Sequence, residues 1–416
     1  MSTEETGIPG TAPSDIVVIG AGQCAAVAAR TLRRRGFDGG IQIIGAEPEL
    51  PYQRPPLSKE YLETGDTDGL FLLTEDWCAD KDVQLRLGEP VLGLDPVSGS
   101  VRLADDEVRA DAVLIATGGR PRTLPGVSGS RVHTLRTRAD ADRLRDVLVP
   151  GARIVVVGAG FIGSEVAATA RARGADVVIV EALDTPLRRV LGAEMGAVCG
   201  SLHRENGVDL VLGETVDGVT EGSAGVTVTT SGGRRIDADA VVVGIGIEPV
   251  TGLAADAGIT VADGIVVDEQ GRTSLPNVFA AGDVASHFHP LVGGHVRTEH
   301  FDSANRLSTA AANAMLGRSQ PFVDPHWFWS DQYDVNLQYA GHATSWDEIV
   351  VRGSLSDVDF CAFYLSGGAV RAVFAADRGG DVLAAKELIA RGVPVSPDVL
   401  RDEDVDLFEL AMEEVA

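Results

Sequence analysis

Two short apolar runs end in glycine-rich turns: Ile16-Val17-Val18-Ile19 leads into Gly20-Ala21-Gly22-Gln23-Cys24-Ala25, and Ile154-Val155-Val156-Val157 leads into Gly158-Ala159-Gly160-Phe161-Ile162-Gly163. Glycines at this spacing let a buried strand turn sharply into a helix and let the backbone approach a pyrophosphate, whose charge the helix N-terminus favours. Two such turns predict two dinucleotide sites. Each has an acidic residue downstream, Glu47 after Gln42-Ile43-Ile44-Gly45-Ala46 and Glu181 after Val177-Val178-Ile179-Val180. A carboxylate at the end of the second strand of such a unit accepts hydrogen bonds from an adenosine ribose diol. At Glu181 it would also repel a 2′-phosphate, which favours NADH over NADPH. Arg188 and Arg189 nearby pull the other way, bind pyrophosphate, or stay solvated.

A second echo supports duplication. The segment from Ala110 to Pro121 (ADAVLIATGGRP) aligns without gaps on Ala238 to Pro249 (ADAVVVGIGIEP), and both read as a buried strand ending in a glycine bend. Two homologous units in one chain account for this. The length of 416 residues suits two or three domains, and 44% hydrophobic with 23% charged residues is ordinary for a soluble globular protein.

The net charge of −26 argues against a nucleic-acid partner. Local positive charge at Arg30, Arg33, Arg34 and Arg35 suits the C-terminal dipole of the first helix, with docking as the minority reading. Met1 to Ser14 holds two glutamates and no lysine or arginine, unlike a signal or transit peptide, and no run approaches a membrane span. The expected location is the cytoplasm. Cys24, Cys78, Cys199 and Cys361 form no CxxC and no close pair, which removes the main signal for dithiol chemistry. Eight scattered histidines without ligand-like spacing predict no metal site.

The expected fold is α/β. Residues 1–115 and 247–325 form a discontinuous first Rossmann-like domain, 116–246 a second, and 326–416 a C-terminal α+β domain. In the returning segment Val278-Phe279-Ala280-Ala281-Gly282-Asp283-Val284-Ala285, a short strand enters a glycine turn, and Asp283 is placed to bind a polyol and begin a helix. From Trp327 onward, Val335 to Tyr339, Glu348 to Gly353, Phe360 to Leu365 and Ala369 to Ala375 read as antiparallel strands, and Asp381 to Arg391 as a helix.

Across nearly its whole length the chain resembles the FAD-dependent, NADH-specific ferredoxin reductases of the putidaredoxin reductase and rhodocoxin reductase type. The narrowest points of resemblance are Pro51-Tyr52-Gln53-Arg54-Pro55-Pro56-Leu57-Ser58-Lys59 and Trp327-Phe328-Trp329-Ser330-Asp331-Gln332. Ala116-Thr117-Gly118-Gly119-Arg120-Pro121 and Ala280-Ala281-Gly282-Asp283-Val284 add to them.

The resemblance implies a glutathione-reductase-like architecture, with FAD in the first domain, NADH in the second, and nicotinamide meeting flavin at their junction. Gly20, Gly22, Cys24 and Ala25 would hold the FAD pyrophosphate, Glu47 its ribose, and Val91 would lie beside adenine. Arg136 matches a basic FAD contact, with Arg54 and Lys59 near the phosphates and ring. Ala116, Thr117 and Gly118 at one strand end, Gly282 and Asp283 at the ribityl chain, and Glu299, His300 and Phe301 by the ring complete that site. Gly158, Gly160, Phe161, Ile162, Gly163, Glu181 and Gly246 would bind NADH, with Phe161 and Ile162 walling the nicotinamide pocket. Ala46 departs from relatives that carry an acid there.

Lys59 and Glu165 resemble a pair beside flavin N5, or else form a salt bridge between domains. A helix starting after Asp283 would aim its positive end at the flavin. Trp329 is the candidate for carrying electrons to the surface, or is a core tryptophan. The implied function is an NADH-dependent flavoprotein reductase passing electrons through FAD to a 2Fe-2S ferredoxin that serves a monooxygenase. The alternatives are an oxidoreductase with oxygen, quinone or another small acceptor, and a non-catalytic redox switch. The chain would be a monomer or weak homodimer. The ferredoxin would dock on a basic face containing Arg297, Arg306 or Arg33 to Arg35, or by mainly apolar contact.

Overall fold

The computed structural model describes residues 13–412, so most of the Met1 to Ser14 segment lies outside the described residues. The chain divides into two compact units, one of residues 1–53, 68–120 and 249–323, the other of 54–67, 121–248 and 324–416. The segment 54–67, read from sequence as part of the first domain, belongs to the second unit.

The first unit is built on a parallel sheet in the order Val278–Ala280, Ala112–Ile115, Asp15–Ile19, Gly40–Gly45, Val83–Leu87. The central strands are buried on both faces, which is why they read as unbroken apolar runs. The second unit repeats the scheme with Arg153–Val157 at the centre, Asp176–Glu181 and Asp209–Leu212 on one side, and Ala240–Val243 and Val132–His133 on the other.

The repeat extends to single hydrogen bonds. The Asp111 carboxylate accepts from Ser14 N–H (2.7 Å), and Asp239, its aligned partner, accepts from Arg153 N–H (2.8 Å). Gly20 N–H donates to Ile44 O and Gly158 N–H to Val180 O, both at 2.8 Å. Ala116 N–H donates to Ile19 O (2.7 Å) and Gly244 N–H to Val157 O (2.8 Å).

Within the second unit, residues from Trp327 onward form a five-stranded antiparallel sheet in the order Trp327–Gln332, Val335–Gly341, Ala369–Ala376, Asp359–Ser366, Glu348–Ser354. One face packs Phe363 and Val373 against Leu388 of the helix Gly379–Arg391. The other packs Phe360, Tyr364 and Phe374 against Leu191, Met195 and Cys199 of the helix Arg188–Glu205. That helix breaks at Gly192 (φ 76°), and the Tyr364 hydroxyl donates to the Leu191 carbonyl there (2.8 Å). The segment read from sequence as a third domain therefore shares a core with the helix Arg188–Glu205.

One element departs from the sequence reading. No helix follows Asp283. Gly282 turns the chain at φ 79°, and Ala285–His289 becomes a strand paired parallel with Gly264–Val267. A capping residue sets a local preference only, and here ladder bonds to a distant strand override it.

His203 is buried on the helix Arg188–Glu205, with Nδ1 2.7 Å from the Tyr333 hydroxyl. Burial, helped by the charge of Arg204, pushes its pKa down to about 4. The unfolded chain takes up this proton near pH 6.5 while the folded chain resists, so the contribution is complete above that pH and lost as pH falls through about 4. We expect the stability difference between the parent and His203→Gln to shrink by about 2 kcal/mol between pH 7.5 and 5, read by denaturant unfolding at both values.

Candidate functional site

In each unit the candidate residues gather at the carboxyl ends of the parallel strands, where ligands of doubly wound sheets bind. The first glycine of each turn is set by close approach. Gly20 (φ 115°) lies so near the Ala116 carbonyl that a side chain would overlap it, and at Gly158 (φ 98°) a Cβ would stand 2.5 Å from Gly244 O. Ala116 and Gly244 are aligned partners in the duplicated segment. The second glycines, Gly22 and Gly160, are different: a Cβ at either would meet nothing within 4 Å. They are the N-caps of Gln23–Arg34 and Phe161–Ala172, neither helix has a side-chain cap, and neither has an acid in its first turn. Uncapped N–H groups facing open space fit a pyrophosphate.

The two acidic partners are not equivalent. Glu181 ends its strand, and its carboxylate accepts from Ala159 N–H (2.7 Å) and Leu183 N–H (2.9 Å). The matching position in the first unit is Gly45, where a Cβ would stand 2.5 Å from the Ala21 methyl. Glu47 lies two residues beyond, outside the strand, and accepts from the Tyr52 hydroxyl (2.5 Å). The sequence reading had both acids ending a strand; crowding at Ala21 displaces one of them into the loop.

Around the first turn, Cys24 Sγ lies 3.8 Å from Ala304 O, and Gly282 passes against the same sulfur. Ala25 is fully buried, and Asp283 is half-buried in the turn after Val278–Ala280. Val91 packs on the core of this unit, close in sequence to Gly88, whose N–H donates to Glu47 O (2.9 Å). Thr117 Oγ1 donates to Val250 O (2.8 Å), and Gly118 follows at φ 64°. Glu299, His300 and Phe301 start the helix Phe301–Met315, whose Asn305 accepts from Gln23 (2.5 Å). The helix whose N-terminus lies near the first turn is thus this one and not one after Asp283: it begins one turn before Ala304, beside Cys24.

In the second unit, a side chain at Gly163 would overlap the Gly158 carbonyl, and Gly246 turns at φ 92°. Arg54 donates to the Arg136 carbonyl (2.5 Å). Phe161 stacks edge-on with Phe328 at 4.6 Å, while Ile162 is 46% exposed, so only the second of these two faces open space.

Glu165, only 3% exposed, is the centre of a polar cluster. Lys59 Nζ lies 2.7 Å from Oε2, Ser58 Oγ donates to Oε2 (2.5 Å), and Ser330 Oγ donates to Oε1 (2.7 Å). Thr169 Oγ1, one turn along the helix from Glu165, donates to Ser58 O (2.8 Å). The Lys59–Glu165 bridge lies within one compact unit. Trp329 stands on the opposite face of its strand, stacked on Trp327 at 5.4 Å and donating to Asp331 Oδ2 (3.1 Å). Ser58, Ser330, Gln332 and Tyr52 were not singled out from sequence, although period-two alternation along Trp327–Gln332 separates Ser330 from Trp329.

Of the arginines weighed for docking, Arg33, Arg35, Arg297 and Arg306 have partners within the first unit. Arg33 donates to the carbonyls of Phe37, Gly39, Lys81 and Asp82, and burial lowers its pKa. Arg297 bridges Asp263 (2.9 Å) and Glu299 (2.7 Å), and Arg306 reaches Asp302 (3.3 Å). The four cysteines are buried and form no disulfide, and burial pushes the Cys199 thiol up to about 12. Such thiols are poor nucleophiles.

A family model described as pyridine nucleotide-disulphide oxidoreductase matches residues 14–314, and one described as reductase C-terminal matches 327–411. The chain belongs to the pyridine nucleotide-disulphide oxidoreductase family. It is 40% identical over 399 residues to rhodocoxin reductase of Rhodococcus erythropolis, covering 94% of this chain and 93% of that protein. It is also 40% identical over 396 residues to the ferredoxin–NAD(+) reductase component of the anthranilate 1,2-dioxygenase system of Burkholderia cepacia, covering 94% and 98%. The crystal structure of the covalent putidaredoxin reductase–putidaredoxin complex superposes with a TM-score of 0.92 at 37% identity, covering 95% of this chain and 98% of that one.

Glu181 spends one lone pair of each oxygen on the backbone, which anchors its charge at the mouth of the second turn. We expect Glu181→Ala to narrow the preference for NADH over NADPH by about tenfold or more in kcat/KM, measured for both nucleotides, since a fixed carboxylate repelling a phosphate is worth at least ~1.4 kcal/mol.

Proposed function

We propose that this chain is an NADH-dependent flavoprotein reductase that passes electrons through FAD to a 2Fe-2S ferredoxin, which supplies an oxygenase. A bound flavin would supply acceptance of a hydride from a nicotinamide and release of its electrons one at a time. The chain's own residues bind and orient. Open backbone at Gly22 and at Gly160 receives the two pyrophosphates, and Glu181 selects the nucleotide. Lys59 and Glu165 are the pair assigned to the hydride step. Half-buried Trp329, held by Asp331, is assigned to the electron exit.

The observation that carries the reading is the joint one of two open glycine turns and no usable dithiol. The four buried cysteines leave the family's disulphide chemistry without its sulfurs, so electrons must leave by another acceptor. Near full-length similarity to ferredoxin reductase components names that acceptor. Cysteines outside disulfides and NADH use also suit the cytoplasm. Among the described residues no helix is long and apolar enough to cross a membrane.

The test is anaerobic reduction of a 2Fe-2S ferredoxin from the same source by NADH and catalytic enzyme, with flavin and iron–sulfur absorbances followed together. Both should bleach. A bleached flavin beside an oxidised ferredoxin overturns the acceptor and keeps the cofactors.

A further inference from the structure

A carboxylate as deeply buried as Glu165 needs donors to replace the water it has lost. Its two oxygens divide that work unequally. Oε2 faces Lys59 and Ser58, while among the described residues Oε1 has one donor, Ser330. Ser330 and Gln332 are themselves fully buried, and Gln332 Nε2 donates to Ser330 Oγ (3.1 Å). An amide nitrogen can only donate, so the serine oxygen accepts there and its single proton is left for Glu165. Donation thereby runs from Gln332 through Ser330 to Glu165 Oε1, while Lys59 approaches Oε2 from the other side.

Register supports this. Trp327–Gln332 pairs antiparallel with Val335–Gly341, which holds Ser330 opposite Leu337 and places Phe328, Ser330 and Gln332 on one face. That face meets Phe161 and Glu165, one helical turn apart on Phe161–Ala172. Lys59 is the charged side chain in contact with Glu165. Asp331 faces the other way, held by Asn336 (2.6 Å) and Trp329. Arg173, on the same helix's end, is occupied by carbonyls of Glu63, Arg145 and Leu148.

We propose that Ser330 and Gln332 are positioning residues that hold the Glu165 carboxylate directed at Lys59, so that a strand of the C-terminal sheet sets the geometry of the pair serving the hydride step. This rests on the assignment of Lys59 and Glu165 to that step. The strand then serves the two half-reactions from opposite faces: Ser330 and Gln332 act on reduction by NADH, and Trp329 on electron exit.

The test uses the flavin-loaded protein and two readouts. The first is not activity: the Glu165 carboxyl carbon resonance is read by carbon-13 NMR at one fixed pH and assigned by its loss in Glu165→Gln. The second is stopped-flow bleaching of the flavin by NADH at the same pH with no ferredoxin present, resolved into a limiting rate and an NADH dissociation constant. Ser330→Ala is expected to displace the resonance and to lower the limiting rate by about tenfold or more while the NADH dissociation constant is unchanged. Ser330→Thr, which keeps the hydroxyl, should restore both, and Gln332→Met should shift both in the same direction by less. If Ser330→Ala does not hold flavin, Gln332→Met carries the test alone. A Glu165 resonance unmoved in these variants overturns the proposal. So does a displaced resonance with an unchanged limiting rate, or a loss confined to NADH binding. Because ferredoxin is absent, failure of the acceptor assignment would show in the parent protein's ferredoxin assay and leave this result standing.

Discussion

Backbone passing within a methyl group's reach of backbone is the constraint on which both dinucleotide sites depend. At Gly20 against Ala116 and at Gly158 against Gly244, the strand leaves its sheet and enters its helix through a gap that no side chain fits. The same approach aims each helix N-terminus at open space beside Gly22 or Gly160, and the carboxyl ends of neighbouring strands surround that space. The two sites share this geometry because their strands share register, down to the matched bonds of Asp111 and Asp239. They diverge where a side chain became possible. Glu181 occupies its strand end and binds the turn, whereas Gly45 yields to Ala21 and passes the acidic function to Glu47 in the loop.

A second constraint is the cost of burying charge. Lys59 and Glu165 are largely removed from water, and a buried ion pair is held only where further donors satisfy the carboxylate. Those donors come from two places distant in sequence, the segment after Arg54 and the strand Trp327–Gln332, and meet the carboxylate on the helix Phe161–Ala172. The polar cluster therefore ties together the second unit's dinucleotide turn and its antiparallel sheet. The large apolar contact between that sheet and the helix Arg188–Glu205 supplies the rigidity that such a cluster needs.

Much of this was legible in the chain. The parallel strands could be read because burial on both faces writes unbroken runs of valine and isoleucine, and the antiparallel strands of the C-terminal sheet because their bounds fall at turn residues. The cradles could be read because close approach demands glycine. Less legible was Trp327–Gln332 as a strand, since its buried face holds the polar Ser330 and Gln332 and its half-buried face the aromatic Trp327 and Trp329, so polarity does not follow burial. The strand Ala285–His289 read as a helix start because Asp283 is a capping residue, and only a distant pairing partner decides otherwise.

The sequence by itself determined that there are two glycine-rich turns, that they are copies with an acid downstream of each, and that the four cysteines form no close pair along the chain. These are local facts, written by short-range sterics and residue type. Only the tertiary structure decided which residues complete the site. Ser58, Ser330 and Gln332 carry no signal of their own, because a buried serine in a core strand and a serine bonded to a functional carboxylate are the same letter. Their role arises from register and helical phase, which bring Ser330 to Glu165 and send Trp329 to the other face. Those quantities depend on long-range pairing, and no local window of sequence contains them.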